Sequence, residues 1–264
     1  MKPQDLARSL VSKVVTFRRS SGIFAGPLDV LKYIYLKTSP FAFPKRLSIR
    51  LKELDRPLVC RPRTTDIGVL LDTFKGGYHR PPGGAGLPAN AVIFDLGANV
   101  GYTVVDFARR YPDARIIAVE MDGDNFDLAL ENTRSFGSRC ILLHAAVWTE
   151  DGEISYEGSG ASGYHISGAA KDRTRVAARS LMSIIEQFQV GTIDYLKMDI
   201  EGAEREVLEA SMEWAASVTV MQVEAHSPEI LRIVNEKLTS AGFTCAPSPT
   251  HWASVTAVRV GARE

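Results

Sequence analysis

The sequence predicts a doubly wound α/β domain with a mostly parallel sheet, preceded by a helical extension. Three observations predict it. From Ala91 onward, short continuous apolar runs ("AVIFDL", "RIIAVE", "DYLKMDI", "VTVMQVEA") alternate with helical patterns. Strands apolar on both faces belong to sheets covered on both sides by crossover helices. The first run leads through a glycine turn, "DLGANVG", into a helix, the position where such sheets bind nucleotides. The chain has 264 residues, 45% apolar and 23% charged, which suits one sizeable α/β domain with an appendage.

Residues 1–58 read as short helices, on the spacing of Leu6, Leu10, Val14 and Val15 and of Leu28, Leu31, Ile34 and Tyr35. Pro27 suits a helix start. "RPLVCRPRTTDIGVLLDTF" holds a short strand and then a helix capped near Thr65 or Asp66. "KGGYHRPPGGAGLPAN" reads as a loop into the main domain. There, "VGYTVVDFARRY" is an amphipathic helix and "DGDNFDLALENTRSF" a helix with Asp124 as its cap. "CILLHAAVW" is a single strand and "AEREVLEASMEWA" a helix. "SPEILRIVNEKLTSAG" is a helix capped by Ser227, with Pro228 in its first turn and Gly242 past its end. "WASVTAVRV" closes the chain as a strand. Residues of about 150–180, with the extended pieces "GEISYEGSGASGYHISG" and "RTRVAARSL", form an insertion near the site.

Formal net charge is zero, so the whole chain has no nucleic-acid signature and no DNA partner is expected. Residues 1–60 nonetheless carry twelve basic and four acidic side chains. A solvated face docking on the acidic remainder is the simplest account; an acidic substrate or a membrane surface are the others. Cys60, Cys140 and Cys245 are far apart, with no CxxC. A reducing, cytoplasmic setting fits them better than a disulfide framework or a zinc site. No apolar run reaches the roughly 18 residues of a membrane span.

The chemistry concentrates at strand ends. "VIFDL" ends at Asp95, followed by Gly97, Asn99 and Gly101. A dinucleotide fingerprint would be G-x-G-x-x-G, and an acid at the strand end would repel its pyrophosphate. S-adenosylmethionine (SAM), with its ammonium and sulfonium, would instead be welcomed by Asp95. "RIIAVE" ends in Glu120, where a carboxylate accepts hydrogen bonds from ribose hydroxyls. His144 and Ala145, at the end of the next strand, are adenine-side candidates. On the other side of the switch point, Asp199, Glu201, Glu224 and His226 should converge. His226 has the best unperturbed pKa for a general base at neutral pH. Asp199 and Glu201 would orient the acceptor or raise the pKa of His226. Glu204 is read as serving only the helix dipole. These carboxylates and the histidine could also hold a divalent metal, but no tight ligand spacing demands one and none is expected.

"VIFDLGANVGYTVVDFARRYPDARIIAVEMDGDNF", "HAAVW", "IDYLKMDIEGAE" and "VEAHSPE", with "RPRTTD" and "FKGGY" before them, resemble the FkbM family of SAM-dependent methyltransferases over roughly residues 60–245. The resemblance implies a Rossmann-like class I methyltransferase fold, SAM as donor and a hydroxyl acceptor on a sugar or natural product. It carries Asp95, Gly97, Asn99, Gly101 and Glu120 over as the cofactor site, and Asp199 and Glu201 as the active-site edge. The family often has proline after the ribose acid, where this chain has Met121, a residue kept among the cofactor contacts. It often has an acid before the tyrosine of "FKGGY", where this chain has Gly77.

The expected organisation is a helical extension (1–58), a linker and cofactor-flanking segment (59–90) and a SAM-dependent methyltransferase domain (91–264). The expected function is O-methyl transfer to a small molecule, sugar-containing or a natural product, with His226, Asp199 and Glu201 catalytic. Rival expectations are an RNA or lipid-linked methyltransferase using the basic N-terminus, and a non-catalytic SAM-binding scaffold. The glycine-rich segment 158–168, with Tyr164 and His165, is expected to form a lid. Residues 1–58 lie outside the resemblance and are expected to set the substrate or a homo-oligomer contact.

Overall fold

The computed structural model describes residues 22–41, 43–82, 86–157, 165–166, 174–249, 251 and 253–261. The expected lid, apart from residues 165–166, lies outside them. The chain divides into two compact units, one up to Gly76 and one from Gly77 onward. Neither of the expected boundaries, at 58 and at 90, coincides with that division.

In the first unit, helix α1 (Pro27–Thr38) starts at the expected proline. It is followed by β1 (Leu47–Ile49), β2 (Leu58–Cys60) and the short helix α2 (Asp66–Leu71). The extension is therefore not all helical. Two three-residue strands, Leu-Ser-Ile and Leu-Val-Cys, pair antiparallel, Ile49 opposite Leu58 and Leu47 opposite Cys60, and bury Ile49, Leu58 and Cys60. At α2 neither expected cap acts as one. Thr65 makes no side-chain cap, and the buried Asp66 carboxylate accepts from the Arg61 backbone N–H and guanidinium at 2.7–3.0 Å.

The second unit supplies β3 (Val92–Leu96), α3 (Tyr102–Arg110), β4 (Arg115–Glu120), α4 (Gly123–Thr133), β5 (Cys140–His144), β6 (Ala146–Val147), β7 (Gly152–Glu157), β8 (His165–Ile166) and β9 (Thr174–Arg179). Then come α5 (Leu181–Gln187), β10 (Ile193–Met198), α6 (Glu204–Glu209), β11 (Val218–Glu224), α7 (Pro228–Ser240), β12 (Phe243–Pro247) and β13 (Ser254–Arg259). Seven strands form one sheet in the order β12-β13-β11-β10-β3-β4-β5. β11, β10, β3, β4 and β5 run parallel, and β13 lies antiparallel between β11 and β12. This is the Rossmann-like sheet that the alternating pattern predicts. One apolar cluster, with Phe94, Leu96, Leu196, Met198, Met221 and Val234, fills one face. A second, with Ile93, Val104, Phe107, Ile116 and Tyr195, fills the other. The alternation of Ile93 with Phe94 and of Tyr195 with Leu196 shows why these strands are apolar throughout.

Several boundaries differ from the expected ones for local reasons. Asp122, not Asp124, caps α4, its Oδ1 accepting from Asn125 N at 2.9 Å. "CILLHAAVW" is two strands: Ala145 N–H donates to Glu120 O, after which the chain leaves the main sheet. β6 then pairs with β9, inside a second sheet of order β6-β9-β7-β8 built from the insertion. Helix α5, unassigned on sequence, follows the insertion, with Ser180 accepting from Ser183 N. At α7 the expected Ser227 cap and Pro228 start are both present.

The backbone crosses itself most tightly at the first glycine turn. Gly97 has φ +80°, and a Cβ there would lie 1.8 Å from the Asp199 carbonyl oxygen. Gly97→Ala should therefore destabilise the fold by about 3 kcal/mol or more, read as a lower midpoint in urea unfolding. A change under about 1 kcal/mol would show that the β3–β10 junction can open without cost.

Candidate functional site

The parallel strands place four sets of side chains at the carboxyl edge of the sheet. β3 delivers Asp95, β4 Glu120, β10 Lys197 and Asp199, and β11 Glu224 and His226. Lys197 stands in register with Asp95 on one side and Gln222 on the other. Its ammonium lies 3.0 Å from the Gly97 carbonyl, 3.2 Å from Asp95 Oδ1 and 3.4 Å from Asp199 Oδ2. Burial opposes that charge, but Asp95 and Asp199 outweigh it and hold the lysine protonated far above its ordinary range. Asp95 is fully buried and also accepts from the Thr103 hydroxyl. Its carboxylate is thus engaged by Thr103 and Lys197.

The turn after β3 is shaped for a ligand. Gly97, Asn99 and Gly101 all have positive φ, and a Cβ on Gly101 would press on Ala129 at 3.0 Å. Glu120 Oε2 accepts from Asn99 N and Oε1 from Asp122 N, both at 2.8 Å. Burial raises the Glu120 carboxyl to about 7, against those two N–H groups. Beside Glu120 in register is His144. Its exposed ring stacks on Phe126 at 4.9 Å, and Nε2 donates to the Met121 carbonyl. Ala145 is buried, and Met121 packs near Ala146, Tyr156 and Val176.

On the acceptor side the expected convergence occurs. His226 Nε2 lies 3.5 Å from Glu201 Oε2 and 3.7 Å from Asp199 Oδ1, while Nδ1 lies 3.4 Å from Glu204 Oε1. Glu204 is fully buried and also accepts from Ile200 N at 2.9 Å. It was read as a dipole residue; it is instead a partner of the histidine. Glu204 raises the His226 imidazole to about 9, against its burial and with help from Asp199 and Glu201. The neutral-pH argument for His226 as a base therefore fails: its surroundings favour the imidazolium. Glu224 is pushed up to about 7 by burial and by Asp199. Asp199, Glu224 and His226 each offer a ligand atom within 4.8 Å of the others, so this is where a divalent ion would sit if one binds.

Residues 78–80, within the segment expected to flank the cofactor, are fastened at this edge by contacts that sequence reasoning missed. The Tyr78 and His79 carbonyls accept from Gln222 Nε2 at 2.6 Å and from the Tyr195 hydroxyl at 2.8 Å. Buried Asp106 of α3 gathers His79 Nε2, Arg80, Arg109 and Arg110 at 2.8–3.1 Å. Burial opposes ionisation of Asp106, but these partners prevail and hold it well below the carboxylate range. The strap so fastened sets Tyr78 within the influence of Lys197, Asp199, Asp95 and Glu224, with the His251 ring 6.0 Å from its own. The sequence signals were the tyrosine in "FKGGY" and an acid between Val105 and Phe107 in an amphipathic helix.

The model of the methyltransferase FkbM domain matches residues 95–245, more than half of the chain. The chain belongs to the FkbM methyltransferase family. It is 27% identical over 159 residues to the hexuronic acid methyltransferase AglP of Haloferax volcanii, which covers 58% of this chain and 65% of that protein. The chain thus spans just under two thirds of that relative. Among solved structures, the precorrin-6y C5,15-methyltransferase of Geobacter metallireducens matches at 14% identity, covering 64% of this chain and 80% of that one, with a TM-score of 0.39. The fibrillarin pre-rRNA processing protein of Methanococcus jannaschii matches at 15%, covering 67% and 69%, with a TM-score of 0.41.

For an FkbM member the implied cofactor is SAM, and the residues present fit it. The glycine turn leaves backbone without side-chain bulk, and Glu120 retains lone pairs toward a diol after its two N–H contacts. Two measurements address this wall. Glu120→Gln should weaken S-adenosylhomocysteine binding by calorimetry by about tenfold, or 1.4 kcal/mol; unchanged affinity would remove Glu120 from the nucleoside site. Lys197→Met leaves the buried Asp95 and the half-buried Asp199 without their cation and should cost about 3–5 kcal/mol in urea unfolding. Adding Asp199→Asn should recover part of that loss, and strict additivity would show that the three groups are not coupled.

Proposed function

We propose that this chain is a SAM-dependent O-methyltransferase acting on a hydroxyl of a sugar-containing small molecule. The observation that carries the proposal is His226, with Nδ1 turned to the buried Glu204 and Nε2 turned to Asp199 and Glu201, at the edge beside the glycine turn. SAM, when bound, supplies an electrophilic methyl group on a sulfonium. The residues of the chain would do the rest. Gly97, Asn99, Gly101 and Glu120 hold the nucleoside, with His144, Ala145 and Met121 at its base end. Asp199 and Glu201 accept hydrogen bonds from acceptor hydroxyls and align one of them. His226 Nε2 takes the proton of that hydroxyl, and Glu204 fixes the tautomer and stabilises the imidazolium so formed. Strap residue Tyr78 and His251 narrow the mouth and limit water. The likeness to a hexuronic acid methyltransferase supports a sugar acceptor.

The test is methyl-labelled SAM with a panel of monosaccharides, uronic acids, glycosylated metabolites and RNA, read by mass spectrometry with and without a chelator. Labelled O-methyl sugar supports the proposal. Label on RNA alone, or on carbon or nitrogen, refutes it, and loss of activity with chelator would assign Asp199, Glu224 and His226 to a metal.

A pH profile checks the base. A histidine held near 9 is mostly protonated at pH 7 and must lose that proton before it can accept another. kcat/KM should therefore climb close to tenfold per pH unit from 7 and level off near 9. Glu204→Gln keeps the contact to Ile200 N but removes the charge, so the midpoint should fall toward the ordinary 6.5. A flat wild-type profile would reject His226 as the base.

A further inference from the structure

We propose that the first unit carries a docking surface for an anionic lipid bilayer, built on the outward face of α1 and the turn after it. Seven large apolar side chains are exposed among the described residues, and four of them fall between residues 28 and 43: Leu28 (64%), Leu31 (62%), Phe41 (69%) and Phe43 (80%). Leu28, Leu31 and Phe43 are tied to one face of α1, and Phe41 lies two residues before Phe43 in the same turn. Leu28, Leu31 and Tyr35 lie at i, i+3 and i+7, on one helical face. The Tyr35 hydroxyl donates to the Phe43 carbonyl, which brings the turn back along that face. The opposite face, with Asp29, Tyr33 and Leu36, is already buried. A helix apolar on both sides needs a second partner for the side left open.

The charges around that side name the partner. Between residues 22 and 46 the chain has Lys32, Lys37, Lys45 and Arg46, and one acid, Asp29. The Asp29 carboxylate is turned inward, to Lys32 at 3.2 Å and to the Arg50 N–H at 3.1 Å. The exposed stretch is therefore apolar with a purely cationic margin. Aliphatic and phenyl groups flanked by lysine and arginine match the acyl boundary and anionic headgroups of a bilayer. A second copy of the chain would set cation against cation. RNA would leave the leucines without a partner. The surface lies wholly within the first unit and does not depend on the methyl-transfer reading.

The experiment is co-sedimentation of the full chain with vesicles of phosphatidylcholine, alone or mixed with phosphatidylglycerol, at low and high salt. Binding to the mixed vesicles, absent with the neutral ones and weakened by salt, is expected. Phe41→Ser with Phe43→Ser should weaken it at least about tenfold. Lys37→Gln, Lys45→Gln and Arg46→Gln together should weaken it by about a hundredfold. Leu130→Ser, an exposed apolar residue in α4, should bind as wild type. All these positions lie open on the surface, and circular dichroism confirms that each variant is folded. No binding of the full chain to anionic vesicles, equal binding by the aromatic variant, or binding to RNA in place of vesicles would each overturn the proposal.

Discussion

One ammonium group organises the carboxyl edge of the sheet. Lys197 meets the Gly97 carbonyl, Asp95 and Asp199 at 3.0–3.4 Å, and so ties the glycine turn after β3 to the end of β10. Two carboxylates at neighbouring strand ends would otherwise repel each other in a place with little water. The lysine sets a positive charge between them and bridges the two strand ends. At the same junction the Asp199 carbonyl lies over Gly97 and leaves no room for a side chain there.

From this anchor the charge spreads outward. Asp199 faces the lysine on one side and His226 on the other. His226 in turn answers to Glu201 and Glu204. The acidic groups outnumber the two cations, and the excess is expressed as shifted equilibria: Glu224 near 7 and His226 near 9. Proton and divalent ion would compete for the same excess negative charge. Both outcomes place positive charge among the same carboxylates.

The sheet was legible in the sequence because five parallel strands are apolar on both faces, a pattern few other structures produce. The glycine turn, Glu120 and the convergence of Asp199, Glu201, Glu224 and His226 were legible because strand ends mark the ligand edge of such a sheet. What was not legible depends on partners distant in sequence. A lysine within "YLKMDI" looks like a solvated charge until two strands bring acids to it. Glu204 looks like a helix-start residue until His226 folds over it. Asp106 looks like one turn of a polar face, but its partners include His79 and Arg80, a whole strand and helix away. β1 was hidden for the opposite reason: a three-residue run, Leu47-Ser48-Ile49, carries too little periodicity to tell strand from helix.

The strap has a consequence for the order in which the molecule assembles. Its carbonyls accept from Tyr195 and Gln222, groups 116 and 144 residues further along the chain. As the polypeptide is made, Tyr78 and His79 emerge first and find nothing to hold. Their anchors exist only once β10 and β11 have been added and paired. Contacts of such long sequence separation form late and set the pace of folding. The segment that finishes the site is thus among the first to leave the ribosome and among the last to lock.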